Sequence, residues 1–338
     1  IEEFHRSCKK RLKFDFREQG LGRQVKPLDK VGIYVPGGTA TYPSTVLMTA
    51  IPAKVAGVKE IIAVTPPCKD GTIPPPTLVA TDIARVSRVF KVGGAQAIAA
   101  LAFGTESVPI VDKICGPGNI YVVTAKRMVY GIVDIESLAG PSEIILVADE
   151  NANPAFCAAD LIAQAEHDTM ASVVLITISQ SLANKVNEEI GLQLRNLKRS
   201  RTATQAIETN GMIVTVNSVA EAIELVNYYA PEHVSLMLKN AEKYASQIQN
   251  AGCIFIGSNC PVALGDYVAG PSHVLPTGGS ARFSSPLRVE DFLKVTNIIS
   301  RGKPDNRELE QAAITLAEAE GLDGHAQAIK LRTQEREK

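Results

Sequence analysis

The 338-residue chain has no tryptophan, and aromatic residues make up only 5% of it. Lys plus Arg number 35 and Asp plus Glu 36, a formal net charge of -1. Neither sign is in excess, so no broad electrostatic grip on nucleic acid or an anionic membrane is available. No apolar run is long enough to span a bilayer, and mean hydropathy is only +0.05. The six cysteines (Cys8, Cys68, Cys115, Cys157, Cys253 and Cys260) form no CxxC pair and are too sparse for a disulfide scaffold. They read as reduced thiols, which favours a cytoplasmic protein. The charged start Glu2-Glu3-Phe4-His5-Arg6 is no signal peptide, and Ile1 in place of Met suggests a chain that begins inside a longer one.

Hydrophobic residues, at 45%, supply enough material for roughly two domains of ~150 residues. Short apolar runs alternate with helix-length segments. Residues 31–35, 60–64, 88–92 and 111–115 read as strands, separated by helices over 43–56, 78–84, 95–103 and 120–129. A second series places strands at 143–148, 173–178, 212–216, 234–238 and 253–256. Asn153 and Pro154 suit the cap and first position of a helix over 154–167. The alternation predicts an α/β fold with two parallel sheets and a cleft between them. The echo of Ala139-Gly140-Pro141-Ser142 in Ala269-Gly270-Pro271-Ser272 fits a duplication. From residue 286 the alternation stops, 290–299 and 308–320 read as helical, and a charged last helix follows Gly321-Leu322-Asp323-Gly324. Such a polar tail is expected to pack on another subunit.

Only five histidines occur, so each can be weighed. His167 stands three positions after Gln164, which puts both on one face of the predicted helix as possible zinc donors. A polar helix end is the plainer alternative. Glu232 and His233 adjoin in Tyr229-Ala230-Pro231-Glu232-His233, where carboxylate and imidazole can divide proton transfers between them. The alternative there is a first helical turn with Pro leading and Glu favouring the dipole. Asp266 lies among glycines and prolines that run to Gly278-Gly279, a setting in which a turn aspartate is the default and a site residue the rival. His273 shares that loop, and Glu320 and His325 flank the tail's glycine break. Gly93-Gly94 and Gly116-Pro117-Gly118-Asn119 each follow a strand and precede a helix, as anion-binding turns do, although neither is GxGxxG or a Walker loop.

Taken together, the segments resemble the histidinol dehydrogenases. The match runs from Val31-Gly32-Ile33-Tyr34-Val35-Pro36-Gly37-Gly38 through Val92-Gly93-Gly94-Ala95-Gln96-Ala97-Ile98-Ala99-Ala100-Leu101 and Gly116-Pro117-Gly118-Asn119. It continues with Ala139-Gly140-Pro141-Ser142-Glu143, Ala163-Gln164-Ala165-Glu166-His167, Pro231-Glu232-His233, Gly265-Asp266-Tyr267 and His273-Val274-Leu275-Pro276-Thr277. The Glu320…His325 tail completes it. The resemblance covers nearly the whole chain.

It implies two incomplete Rossmann-like α/β/α domains related to the aldehyde dehydrogenase fold, with a C-terminal helical tail. Residues 1–33 plus 142–285 would form the substrate and zinc domain, 34–141 the NAD domain, and 286–338 a tail serving the partner subunit. The implied activity is oxidation of L-histidinol through the aldehyde to L-histidine, with two NAD⁺, in a zinc-dependent homodimer. Gln164, His167, Asp266 and His325 would be the zinc ligands, His325 coming from the partner. These four, with Ser142, His233 and Glu320, would contact substrate. Tyr34, Gln96 and Asn119 would contact NAD, and Glu232 and His233 would be the acid/base pair. The family carries a further N-terminal segment ahead of this chain's start, with helices that help the dimer embrace. Two other readings compete: a zinc hydrolase using Glu232, and a truncated relative that binds ligand without turnover.

Overall fold

The computed structural model describes residues 1–12, 15–18, 20–37, 41–300 and 307–334. Gly38 of the Pro36-Gly37-Gly38 turn and parts of the 286–338 tail fall outside them. The chain forms two units, residues 1–12 with 27–294, and residues 13–26 with 295–338.

The larger unit opens with α1 (Glu2–Arg11). The chain then enters the smaller unit, whose strands β1 (Phe16–Glu18) and β2 (Leu21–Pro27) form a hairpin. Back in the larger unit come β3 (Lys30–Tyr34), α2 (Pro43–Ala56), β4 (Glu60–Val64), α3 (Pro75–Ile83) and β5 (Arg88–Phe90). The first sheet closes with α4 (Ala95–Phe103), β6 (Lys113–Cys115), α5 (Ile120–Val129) and β7 (Asp134–Ile135). All five strands are parallel, in the order β5-β4-β3-β6-β7. Its strands are apolar almost throughout because both faces are covered. Val31 and Ile33 point into one core with Ile61 and Ala63, whereas Tyr34, Ile62 and Val64 point into the other.

The second sheet repeats the plan. Its elements are β8 (Glu143–Ala148), α6 (Pro154–Ala165), β9 (Ser172–Thr177), α7 (Gln180–Leu194), α8 (Ser200–Asn210) and β10 (Gly211–Thr215). They continue with α9 (Val219–Tyr229), β11 (His233–Met237), α10 (Ala241–Ala245), β12 (Cys253–Ile256) and α11 (Val262–Tyr267). The order β10-β9-β8-β11-β12, again parallel, is that of the first sheet. Ile144, Leu146 and Ala148 face one core and Ile145 and Val147 the opposite one. The duplication expected from a four-residue echo is thus visible in strand order. Asn153 caps α6 as its sequence position predicts, accepting the Ala155 N–H at 2.9 Å.

The helix expected over 290–299 does not form. A 3₁₀ turn (Val289–Phe292) leads instead into β13 (Leu293–Ile299), which joins β1 and β2 in the order β1-β2-β13. Val295, Thr296, Ile298 and Ile299 are β-branched, and their partner strand lies more than 260 residues earlier, beyond the reach of local pattern. α12 (Arg307–Ala319) and α13 (Asp323–Gln334) complete the tail as an antiparallel pair sharing Ile314, Ala317 and Ala326.

Two stability tests follow from this packing. Leu146, fully buried in the central strand β8, should cost about 2–5 kcal/mol when replaced by Ala. Ile213→Ala on the edge strand β10, where the side chain is 37% exposed, should cost about 1 kcal/mol or less. Paired urea midpoints decide this, and equal losses would contradict the layer assignment. Asp160, buried on α6 with Oδ2 unpartnered, has its pKa pushed from the ordinary 3.8 up to about 6, chiefly by burial. The folded state therefore holds this proton longer than the unfolded chain, and the destabilisation grows as pH rises through that interval and is complete above it. Asp160→Asn should raise the urea midpoint more at about pH 8, above that interval, than at about pH 5, inside it. A gain that shrinks with rising pH would refute the sign.

Candidate active site

Ala230, the residue that ends α9, takes φ 54°, a left-handed conformation unusual for a residue with a Cβ. Pro231 follows with its fixed φ and turns the chain into β11. The turn delivers Glu232 immediately before the strand and His233 as its first residue, paired with Ile144 of β8 and Cys253 of β12. The Glu-His couple therefore opens a central strand rather than a helix. It stands at the amino ends of β8 and β11, where the strand order of the second sheet reverses.

Glu143 opens the neighbouring strand, and the two glutamates clasp each other. The Glu143 N–H donates to Glu232 Oε2 at 2.9 Å, and the Glu232 N–H donates to Glu143 Oε2 at 3.4 Å. Glu143 Oε1 also accepts the Gly278 N–H at 3.1 Å, tying in the loop after α11. Burial pushes the Glu143 carboxyl up; the Gly278 N–H opposes this and the Glu232 charge adds to it.

His233 Nδ1 lies 3.1 Å from the Glu143 carbonyl and 3.4 Å from Glu232 Oε2. A carbonyl can only accept, so in the neutral ring Nδ1 carries the proton and Nε2 presents a lone pair. Nε2 faces Asp266 Oδ1 at 3.9 Å. Burial pulls the imidazole pKa down, but Glu232, Asp266 and the Glu143 carbonyl outweigh it, and the net direction is up. Phe255 stacks on the ring, with centroids 6.0 Å apart.

Asp266 is carried on the short helix α11 and is buried. Gly265 beside it has Phe255 so close that a Cβ would stand 2.6 Å from the ring, which is what lets α11 close on β12. The Asp266 carbonyl accepts from His273 Nδ1 at 2.9 Å. Burial lowers the His273 pKa, Asp266 and Glu232 counter it, and His167 is near enough to lower it further. His167, Glu232, Asp266 and His273 thus share one electrostatic neighbourhood.

α6 ends at Ala165, so His167 sits on the turn beyond the helix, its N–H donating to the Gln164 carbonyl at 3.2 Å. The Gln164 amide is 1% exposed and its Nε2 has no partner, an expensive state for a buried polar group. Ser142 is half-buried directly before Glu143. Glu320 and His325 belong to the smaller unit, at the end of α12 and on α13, with exposed side chains. Among the described residues, no three His, Cys, Asp or Glu side chains form a ready metal centre. His5, for which the sequence offers no partner, is buried in α1 with its pKa lowered to about 4 by burial.

In the first sheet the strand order reverses between β3 and β6, and ligands of such sheets settle at the carboxyl ends there. Tyr34 ends β3, and its hydroxyl accepts the Gly94 N–H at 3.0 Å. Gln96 folds back over Gly94, which has φ 73°; a Cβ at 94 would meet Gln96 Oε1 at 2.8 Å. Asn119 follows β6 and caps α5, accepting the Tyr121 and Val122 N–H groups at 3.1 and 3.2 Å. Tyr34 and Gln96 therefore meet at one glycine, and Asn119 opens the helix after the adjacent strand.

Sequence reasoning assigned no role to Glu143, although a carboxylate opening an otherwise apolar strand is a signal in its own right. It also passed over Lys126 and Glu136, whose pairing no local spacing announces.

The family model of histidinol dehydrogenase matches residues 1–333. A histidinol dehydrogenase of Dehalococcoides mccartyi (strain CBDB1) is 55% identical over 333 residues, covering 98% of this chain and 76% of the relative. One from Clostridium acetobutylicum is 54% identical over 334 residues, covering 98% and 78%. The crystal structure of histidinol dehydrogenase from Elizabethkingia anophelis superposes with TM-score 0.92 at 37% identity, covering all of this chain and 78% of that one. A probable aldehyde dehydrogenase from Listeria monocytogenes shares the fold alone, with TM-score 0.55 at 14% identity over 90% of this chain and 82% of that one. With the paired α/β sheets and a whole-length match in agreement, the chain belongs to the histidinol dehydrogenase family.

Proposed function

We propose that this oxidoreductase converts L-histidinol through the aldehyde to L-histidine, with NAD⁺ as hydride acceptor, zinc as resident metal and Glu232 and His233 as the acid/base pair. The observation that carries this reading is the Glu143–Glu232 clasp, which leaves His233 Nε2 as a buried lone pair beside Asp266. The first sheet would be the NAD half, through Tyr34, Gln96 and Asn119, and the second the substrate and zinc half. Six free cysteines and the absence, among the described residues, of any helix able to cross a membrane support a cytoplasmic setting.

The residues present suit a divalent cation. Gln164 brings a buried amide with an unsatisfied end, Asp266 a buried carboxylate, and His167 a half-buried imidazole on the turn after α6. Gln164, His167 and Asp266 would hold zinc together with the partner subunit's His325, in a homodimer with a shared site. Bound there, zinc would supply a template that orients the substrate. Ser142 and the partner subunit's Glu320 would join these residues in holding the substrate.

NAD⁺, which Tyr34, Gln96 and Asn119 would hold, would supply the hydride acceptor for both oxidations. In the first, His233 Nε2 would take the hydroxyl proton, and the aldehyde results. Glu232 would then remove a proton from water as it adds to the aldehyde carbon, while protonated His233 returns its proton to the carbonyl oxygen, giving a gem-diol and a neutral imidazole. Once Glu232 has passed its proton to solvent, His233 would deprotonate the diol in the second oxidation, and the acid would be released. The route needs no thiol nucleophile. Burial, moreover, pushes the Cys157 and Cys253 thiols up to about 12 and about 11, far from the thiolate form.

Nicotinamide reduction with added histidinol should be lost on chelation and return with zinc. In single-turnover measurements Glu232→Gln should slow the second oxidation by about 10²-fold or more, with the first much less affected and the aldehyde accumulating. Equal loss in both steps would overturn the division of labour.

A further inference from the structure

The loop from β6 to α5, Gly116-Pro117-Gly118-Asn119, is gripped by a buried ion pair. Lys126 lies in α5 and Glu136 just beyond β7, with side chains only 2% and 3% exposed. Lys126 Nζ stands 2.7 Å from both Glu136 carboxylate oxygens. The same two side chains also hold one residue of the loop from both sides, through the two peptide groups that flank it. Glu136 Oε1 accepts the Gly116 N–H at 2.8 Å, and Lys126 Nζ donates to the Gly116 carbonyl at 3.2 Å.

Gly116 is buried, with φ 112°, and a Cβ there would collide with the Tyr34 carbonyl oxygen. Its N–H and carbonyl therefore need partners inside the protein, and its conformation is open to glycine alone. A buried ion pair is weak evidence for stability, since desolvation offsets much of the attraction and an apolar pair often serves as well. What an apolar pair lacks is direction: a donor and an acceptor aimed at the backbone of a single residue. Three residues beyond Gly116, Asn119 caps α5, and next to it runs the end of β3 with Tyr34.

We propose that Lys126 and Glu136 are positioning residues for dinucleotide recognition: by fixing the two peptide groups that flank Gly116 they set Asn119 and the first turn of α5 in place before the cofactor arrives. A loop set in advance spares the ordering cost that binding would otherwise carry. The inference rests on the reading of Tyr34, Gln96 and Asn119 as NAD contacts. The other buried lysine of this sheet, Lys113, supplies a control. It bonds Asp134 at 2.8 Å and the Asp291 carbonyl at 2.7 Å instead of the loop.

The experiment compares wild type, Lys126→Met/Glu136→Leu and Lys113→Met in the full chain. It reads thermal midpoint, equilibrium NAD⁺ affinity, and the KM for NAD⁺ and for histidinol. The double variant should fold, weaken NAD⁺ binding and raise its KM by about tenfold or more, and leave the histidinol KM within about threefold. Lys113→Met should lower the midpoint with NAD⁺ affinity unchanged. Glu136→Gln, which keeps an oxygen for the Gly116 N–H, should recover most of the NAD⁺ affinity lost in Glu136→Leu, and it carries the test if the double variant does not fold. A folded double variant with wild-type NAD⁺ affinity, or failing that Glu136→Leu and Glu136→Gln with equal NAD⁺ affinity, overturns the proposal. Wild type that binds no NAD⁺ sinks the functional reading along with it, so the two failures are told apart.

Discussion

The arrangement at the amino ends of β8 and β11 depends on two glutamates that exchange backbone hydrogen bonds. Each carboxylate takes the N–H of the other's residue, so the last rung of a parallel ladder is closed by side chains. Like charges at such distance repel, and burial adds to the cost, which is why Glu143 is shifted towards its protonated form. The return is orientational: the Glu143 carbonyl and the Glu232 carboxylate both meet Nδ1 of His233, which leaves its other nitrogen available. The strained Ala230 backbone belongs to the same construction, since a left-handed residue before Pro231 brings Glu232 into register with Glu143.

The two sheets share one strand order but use opposite ends of it. In the first, the residues read as cofactor contacts stand at the carboxyl ends of β3 and β6, the usual place for a ligand on an open α/β sheet. In the second, the residues read as the acid/base pair stand at the amino ends of β8 and β11. Asp266 of α11 and His273 of the loop beyond it meet the same neighbourhood, and Gln164 of α6 keeps a buried amide without a partner.

The elements most legible in the sequence were those with local causes. The helix bounds of α2, α4 and α5 followed from prolines, glycines and apolar period, and Asn153 and Pro154 announced α6. The buried strands showed as continuous apolar runs because both of their faces are covered. β13 read as helix because its partner β2 is remote in sequence, and α11 read as loop because six residues among glycines and prolines carry almost no periodic signal. Gln164 and His167 were rightly seen as neighbours, yet the helix ends between them, and a turn rather than a helical face sets their geometry.

Sequence alone determined the fold class, the alternation of strands and helices in the two parallel sheets, and the residue types able to perform proton transfer, because propensity, capping and hydrophobic period act over a few positions. Tertiary structure decided which nitrogen of His233 faces the Glu143 carbonyl, which buried amide goes unpartnered, and that Lys126 and Glu136 grip the backbone of one glycine between them. Those outcomes depend on contacts between residues brought together only when β8 pairs with β11 and α5 packs beside β7. The energy of a buried hydrogen bond is set by the partner found there, and no local pattern encodes who that partner is.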